Sequence, residues 1–375
     1  MPDRTAPQSS ALLTINLDAV AANYKLLSRK VAPAICGAVV KANAYGLGAF
    51  EVSTRLAAEG CRHFFVAHPG EGVALRAIDD PRLIASTIYV MSGLSEEPAP
   101  LLLAHNLVPV LGSPDDVATW RAEAIKHQRR LPAVIFFDTG MNRYGLPLAE
   151  LDVVSQELSA TLDIHYVMSH LACADEPAHP MNELQRLRLA EVRARFPGVR
   201  ASLANSAGIF LAPDYHLDLT RPGAALYGLN PTSSTYNPMQ GVVGLAAPIL
   251  QVRGLAKDDT VGYGATYRAG GPMRVATIGI GYGDGYPRSL TGRATVFIAN
   301  QPAPVVGRVS MDFITVDVTA IPPALASPGA TVEVIGPNMP VDALARAAGT
   351  IGYEILTMLG PRYARSYQGR AGETS

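Results

Sequence analysis

The sequence predicts an α/β protein in two parts, a (β/α)8 barrel of the TIM type and, after it, a β-rich domain. Three observations carry this. Over the first two thirds of the 375 residues, short β-branched runs alternate with helix-like stretches through eight repeats of the unit. A linker rich in Pro, Ser, Thr and Asn, "NPTSSTYNPMQ" at 230–240, interrupts that rhythm. Beyond it, strands and turns dominate. Strand–helix alternation implies parallel βαβ units, and eight of them close a barrel.

The elements read as follows. In "ALLTINLDAVAANYKLL" (11–27), Leu13, Ile15 and Leu17 alternate like a strand, and Leu17, Val20, Tyr24 and Leu27 then recur at helical spacing. This segment precedes the barrel. The eight strands are "CGAVVK" (36–41), "HFFVAH" (63–68), "TIYVMS" (87–92), "LVPVLG" (107–112), "AVIFFD" (133–138), "IHYVMS" (164–169), "RASLAN" (200–205) and "HLDLTR" (216–221). Amphipathic stretches such as "EVSTRLAAEG", "DDVATWRAEAIKHQ" and "NELQRLRLAEVRARFPG" lie between them. Past the linker, "GLAAPILQVRGL", "RVATIGIGYG", "ATVFIA", "VVGRVSMDFITVDV" and "TVEVIG" read as strands, with one short helix, "VDALARAAG". The expected domains are 12–235 and 241–370, with the strand near 11–16 a candidate to join the second.

Composition narrows the function. Hydrophobic residues make up 48% and charged residues 17%, which suits a compact enzyme and argues against disorder. Net charge is -1 without a basic stripe, so nucleic acid is not an expected partner. "MPDRTAPQSS" has no apolar core of a signal peptide, and no apolar run reaches membrane-spanning length. A cytoplasmic protein is expected. Cys36, Cys61 and Cys173 lack metal-type spacing and read as small thiols in a reduced compartment.

Barrel enzymes build their sites at the C-terminal ends of strands. Those ends supply Lys41, His68, Ser92, Asp138 with Arg143 just beyond, His170, Asn205 with Ser206, and Arg221. Such a cationic, hydrogen-bonding mouth suits an anionic ligand. Asp138 is the lone acid there, so no metal site is expected. A lysine in this place can be a nucleophile if burial or a nearby cation lowers its pKa.

"AVVKANAYGLGA" (38–49) resembles the cofactor-lysine signature of alanine racemases, enzymes dependent on pyridoxal 5'-phosphate. "DTGMNRYG" (138–145), "LTRPGAALYG" (219–228), "VGYGATYRA" (261–269), "GYGDGYPR" (281–288) and "GRVSMDFITVDV" (307–318) match the same family in the same order. The resemblance spans residues 12–368. It implies that Lys41 holds the cofactor and acts as a base on one face of the substrate, with Tyr263 on the other. Removal of a proton on one side and delivery on the other is the simplest racemisation. A tyrosine near pKa ~10 needs positive charge nearby to act as a base, and His170 and Arg221 match that place. Arg221 also matches the arginine facing the pyridine nitrogen. It donates to that nitrogen without protonating it, which disfavours a decarboxylase of the same architecture. Tyr45, Asn205, Ser206, Tyr353 and the amides of Gly223 and Ala224 match cofactor-binding positions. Arg143 and the Met311 amide match substrate-carboxylate positions, and Tyr282, Arg288 and Asp312 resemble residues of the access corridor.

The resemblance further implies a homodimer with shared active sites, Tyr263 and Met311 coming from the neighbouring subunit, and a role in supplying D-alanine for peptidoglycan. A racemase acting on serine or a broader set is the alternative. A cofactor carrier is disfavoured by the second domain with its Tyr263. Two positions depart from the family: Leu47 stands in "YGLG" where histidine is frequent, a minor change, and the other matters more. Many members place a carbamylated lysine two residues before the aspartate of "DTGM" to orient the arginine, and this chain has Phe136 there. Arg143 is then expected to be oriented by Asn142, by Asp138 or by a bound anion, or not to be held tightly at all.

Overall fold

The structure is a computed structural model that describes residues 11–94, 98–232 and 234–369. The decapeptide before them, Glu96 and Glu97 of the crossover after the third barrel strand, and residue 370 lie outside the described residues. The chain divides into two compact units, 20–44 with 48–240 and 11–19 with 45–47 and 241–369.

The first unit is the barrel. His63–Val66, Thr87–Val90, Leu107–Leu111, Leu131–Phe136, Leu162–Met168 and Arg200–Ser202 follow Ala38–Val39 in one parallel sheet in chain order. Leu219–Thr220 closes the ring, pairing in parallel with Ile35–Cys36. On its other side the amides of Asp218 and Arg221 reach Ala201 O (3.1 Å) and Ala204 O (2.9 Å). Phe64, Phe65, Tyr89, Phe137 and Tyr166 fill the core as fully buried side chains.

Outside the sheet, Pro69–Arg76, Pro81–Ile84, Pro98–Ala104, Pro114–Lys126 and Pro180–Ala194 all open on proline. Its fixed φ suits the first helical turn, where its missing N–H is not needed. Ser113 caps Pro114–Lys126 by accepting the Asp116 amide at 3.1 Å. No helix of the described residues is long and apolar enough to cross a membrane.

The second unit is an antiparallel β-barrel. Val243–Leu255 is long enough to pair twice, through Leu245–Pro248 with Thr331–Ile335 and through Ile249–Leu255 with Met273–Ile278. Thr295–Ile298, Gln301–Val306 and Ile314–Asp317 complete the ring between those two partners. Leu12–Asn16 adds to the other edge of Val243–Leu255, and Ala364–Gln368 pairs with it in parallel. The run "VVGRVSMDFITVDV" is therefore not one strand. It breaks at Gly307, whose φ of 69° lies in the left-handed region. Residues 307–313 become a turn, and a second helix, Gly352–Met358, follows Val341–Ala348.

Candidate active site

The predicted site residues fall in both units. In the barrel, Lys41 follows the first strand and begins a left-handed turn. Ala42, Asn43, Ala44 and Tyr45 have φ of 52, 55, 52 and 56°. Each non-glycine residue held there costs about 1–2 kcal/mol. The turn is fixed by Ala44 N to Val40 O (2.9 Å) and Gly48 N to Asn43 O (2.9 Å). Asn43 Oδ1 accepts the Ala49 amide at 2.8 Å, and Glu71 Oε1 accepts the Ala42 amide at 2.6 Å. Burial pushes the Lys41 amine down, the Arg143 cation pushes the same way, and the Glu71 carboxylate opposes them. The lysine thus sits in the electrostatic setting a nucleophilic amine needs.

Arg221 is 4% exposed. Its guanidinium donates to Ser202 Oγ, to Ser169 O (2.7 Å) and to Leu203 O (3.2 Å). Burial lowers its pKa to about 9, so it remains charged at neutral pH. It also faces His170 Nδ1 at 3.5 Å, the long limit of a hydrogen bond. Arginine can only donate, so Nδ1 accepts and the imidazole proton is assigned to Nε2. Burial, then Arg221, Arg143 and Lys41, push His170 down to about 3. In this setting His170 is held as the neutral ring, and the positive charge of the pair belongs to Arg221.

Ser206 Oγ accepts the amides of Gly223 (2.9 Å) and Ala225 (3.1 Å) at the start of the 3-10 turn Ala224–Tyr227. Engaged by both amides as an acceptor, the Ser206 hydroxyl keeps its own proton to donate, at a turn of the kind that takes phosphate. Asn205 Oδ1 instead accepts the Gly208 amide at 2.9 Å and shapes that loop. Asp138 Oδ1 accepts the amides of Gly140 (2.7 Å) and Met141 (2.9 Å), and Asn142 is left-handed with φ 53°. Neither side chain holds the Arg143 guanidinium, which makes no hydrogen bond with a described residue. Phe136 packs on Tyr144 with ring centroids 5.7 Å apart, and the Tyr144 hydroxyl donates to Asp116 Oδ2 at 2.7 Å.

In the second unit, Tyr45 and Tyr353 lie with ring centroids 6.0 Å apart. Burial, then Tyr353 nearby, pushes the Tyr45 phenol up, so it remains a donor. Tyr263 is 72% exposed, held between Gly262 (φ 74°) and Gly264 (φ 72°). A Cβ on Gly264 would lie 3.1 Å from Arg308 Nη1, so glycine lets this loop close onto the 307–308 turn. The Tyr282 and Met311 loops are zipped by Tyr282 N to Ser310 O (3.1 Å) and Gly283 N to Met311 O (2.9 Å). Asp312 pairs with Arg362 at 2.8 Å, and Arg362 in turn pairs with buried Asp284 at 3.0 Å. Arg288 is exposed at the start of the 3-10 turn Arg288–Leu290.

Residues that the sequence reading passed over also shape these sites. Fully buried Gln185 braces two mouth loops, donating to His170 O (2.8 Å) and Thr139 Oγ1 (3.2 Å) and accepting the Ala172 amide (2.8 Å). Arg308 lies in a quoted motif but drew no role. Glu71 had a visible signal, an acid at the third position of a helix opened by proline. Burial pushes the Cys36 and Cys61 thiols up to about 12, which leaves them protonated. Among the described residues, no group of three His, Cys, Asp or Glu is placed to hold a metal ion.

The family model "Alanine racemase, N-terminal domain" matches residues 15–231, and "Alanine racemase, C-terminal domain" matches 242–367. An alanine racemase of Rhodospirillum rubrum is 49% identical over 368 residues, covering 96% of this chain and 97% of the relative. A catabolic alanine racemase of Mesorhizobium japonicum is 48% identical over 363 residues, covering 96% and 94%. The crystal structure of alanine racemase from Bartonella henselae with covalently bound pyridoxal phosphate superposes with a TM-score of 0.92 at 38% identity, covering 96% of this chain and 99% of that one. With both halves matched and relatives near half identity along almost its whole length, the chain belongs to the alanine racemase family.

Proposed function

We propose that the chain interconverts L-alanine and D-alanine with pyridoxal phosphate held on Lys41. The observation that carries this reading is the Lys41 amine, lowered by burial and by Arg143, at a barrel mouth that also holds buried Arg221. The residues present fit the cofactor. Ser206, the amides around Gly223 and Ala224, Tyr45 and Tyr353 would take its phosphate, and Arg221 would face the ring nitrogen. When bound, the cofactor supplies an electron-withdrawing ring that acidifies the Cα proton of an attached amino acid.

The protein's own groups then do the proton work. Lys41 takes or returns a proton on one face of Cα, and Tyr263 does so on the other. One proton leaves and one arrives, so the product differs from the substrate only in hand. Arg143 and the Met311 amide hold the carboxylate. Arg221 would donate a hydrogen bond to the ring nitrogen while keeping its own proton, which favours proton return to Cα over side reactions.

Tyr263 is exposed in the single chain, as are Tyr282 (42%), Met311 (52%) and Phe313 (48%) of the neighbouring loops. Exposed aromatic and thioether groups on adjoining loops mark a surface meant to be covered. We take its cover to be a second copy, so that each site is completed by the partner's tyrosine and methionine. Supply of D-alanine for peptidoglycan is the role this activity suits.

The test follows α-proton exchange and racemisation of L-alanine in heavy water, with wild type beside Tyr263→Phe. D-alanine formation by wild type, with exchange from the L side lost preferentially in the variant, is the expected result. A wild type that forms the cofactor's lysine absorbance yet makes no D-alanine overturns the substrate. Serine turned over faster than alanine would move the reading to a broader racemase.

A further inference from the structure

Glu71 is the third residue of the helix Pro69–Arg76, and its carboxylate reaches in two directions. Oε2 accepts the amides of Ala67 (2.7 Å) and His68 (3.1 Å), closing the loop that leads into its own helix. Oε1 accepts the Ala42 amide at 2.6 Å. Ala42 belongs to a different loop and follows Lys41 directly. The first contact is ordinary helix capping. The second serves a turn that L residues resist, since Ala42, Asn43, Ala44 and Tyr45 all hold positive φ without a glycine. A charge-assisted bond to an amide is among the stronger means of holding such a turn.

We propose that Glu71 is a positioning residue for Lys41, clamping the first amide of the left-handed turn and so holding the lysine amine at the barrel mouth opposite Arg143. This rests on the role given to Lys41 under the proposed function. The charged groups that face Lys41 are Arg143 and Glu71, while His170 feels Lys41, Arg143 and Arg221. Glu71 is the anion of that set.

The barrel contains its own control. Asp116 occupies the same third position in the helix Pro114–Lys126. It accepts the amides of Gly112 (2.9 Å) and Ser113 (3.0 Å) from its own loop and of Leu94 (2.8 Å) from the preceding one. It makes the same stitch on loops that do not carry Lys41, with a further bond from the Tyr144 hydroxyl at 2.7 Å that an asparagine oxygen can keep. A residue that merely stitches loops should behave like Asp116.

The test labels Lys41 with an amine-acylating reagent in the full chain stripped of pyridoxal phosphate and reads the pH midpoint by peptide mass spectrometry. Glu71→Gln can keep an oxygen on the Ala42 amide but loses the charge. Its midpoint is expected to fall by about half a pH unit, or about threefold faster labelling at neutral pH. Glu71→Asp should return the midpoint toward wild type, and Asp116→Asn should leave it in place. A folded Glu71→Gln with the wild-type midpoint, or an equal shift in Asp116→Asn, overturns the proposal. A second measurement needs no variant. In the wild-type chain the exposed Ala42 amide should exchange at least about tenfold slower than an unprotected amide, and an unprotected Ala42 amide also overturns the clamp. Neither readout requires racemisation, so a chain inactive on alanine would still decide the role of Glu71.

Discussion

Removing one buried hydroxyl, Ser202→Ala, should destabilise the barrel far more than its size suggests. Ser202 is 0% exposed and serves two partners. Its oxygen accepts from Arg221 Nη1, and its hydroxyl donates to Leu219 O at 2.6 Å. Alanine strands both. Loss of a bond to a charged donor costs about 1.5–3 kcal/mol and loss of the neutral one about 1 kcal/mol, about 2.5–4 kcal/mol together. A gap of one hydroxyl is too small to admit a replacing water. Urea unfolding followed by the fluorescence of Trp120, the single tryptophan and fully buried in the barrel, reads the loss directly. Ser169→Ala is the comparison. Ser169 offers Arg221 its carbonyl, and its hydroxyl meets Thr139 Oγ1 at 2.7 Å, so this change leaves the guanidinium bonded and should cost about 1 kcal/mol. A Ser202→Ala loss below about 1 kcal/mol, or one equal to that of Ser169→Ala, would refute the claim that these contacts sustain the buried charge.

Two further outcomes follow from the same structure. Ala42→Gly relieves a left-handed alanine at an exposed position, and after the entropy glycine adds to the unfolded chain the net gain should be about 0.5–1 kcal/mol in urea unfolding. The second concerns acid. His63 is pushed down to about 4 by burial and by Arg200 and His165, and His170 to about 3. Both fold as neutral rings, so their contribution is present above the unfolded histidine pKa near 6.5 and is lost as pH falls through those lower values. Stability should therefore decline below about pH 6.5, by on the order of 1–3 kcal/mol per ring. His63→Gln should flatten that slope between about pH 6 and 4, and an unchanged slope in a urea series would reject the assignment.

The barrel was legible because its eight strands end where buried, β-branched runs meet polar residues. Those ends alone place Lys41, His170, Ser206 and Arg221 in one unit. What stayed hidden shares a physical cause. The turn after Lys41 is built from Ala, Asn, Ala and Tyr, residues that give no sign of positive φ, because the conformation is imposed by contacts such as Glu71 on Ala42. Gln185 and Asp116 act on backbone amides and carbonyls of distant loops, and a backbone group leaves no mark in the sequence. The cationic mouth was read from residue types alone, whereas desolvation decides that His170 carries no charge. In the second unit the break at Gly307 was missed because Val, Arg, Val and Ile around it keep a strand-like composition through the turn.

The strand Leu12–Asn16 has a consequence for how the chain is made. Its partners are Val243–Leu255 and Ala364–Gln368. A ribosome adding about 5–20 residues per second delivers the last of them roughly 20–70 s after the first strand emerges. The barrel can assemble in that interval, while an alternating apolar strand waits with both edges bare. During synthesis this short segment is an available template for intermolecular pairing, and its shelter depends on whatever engages the nascent chain until the second β-barrel is complete.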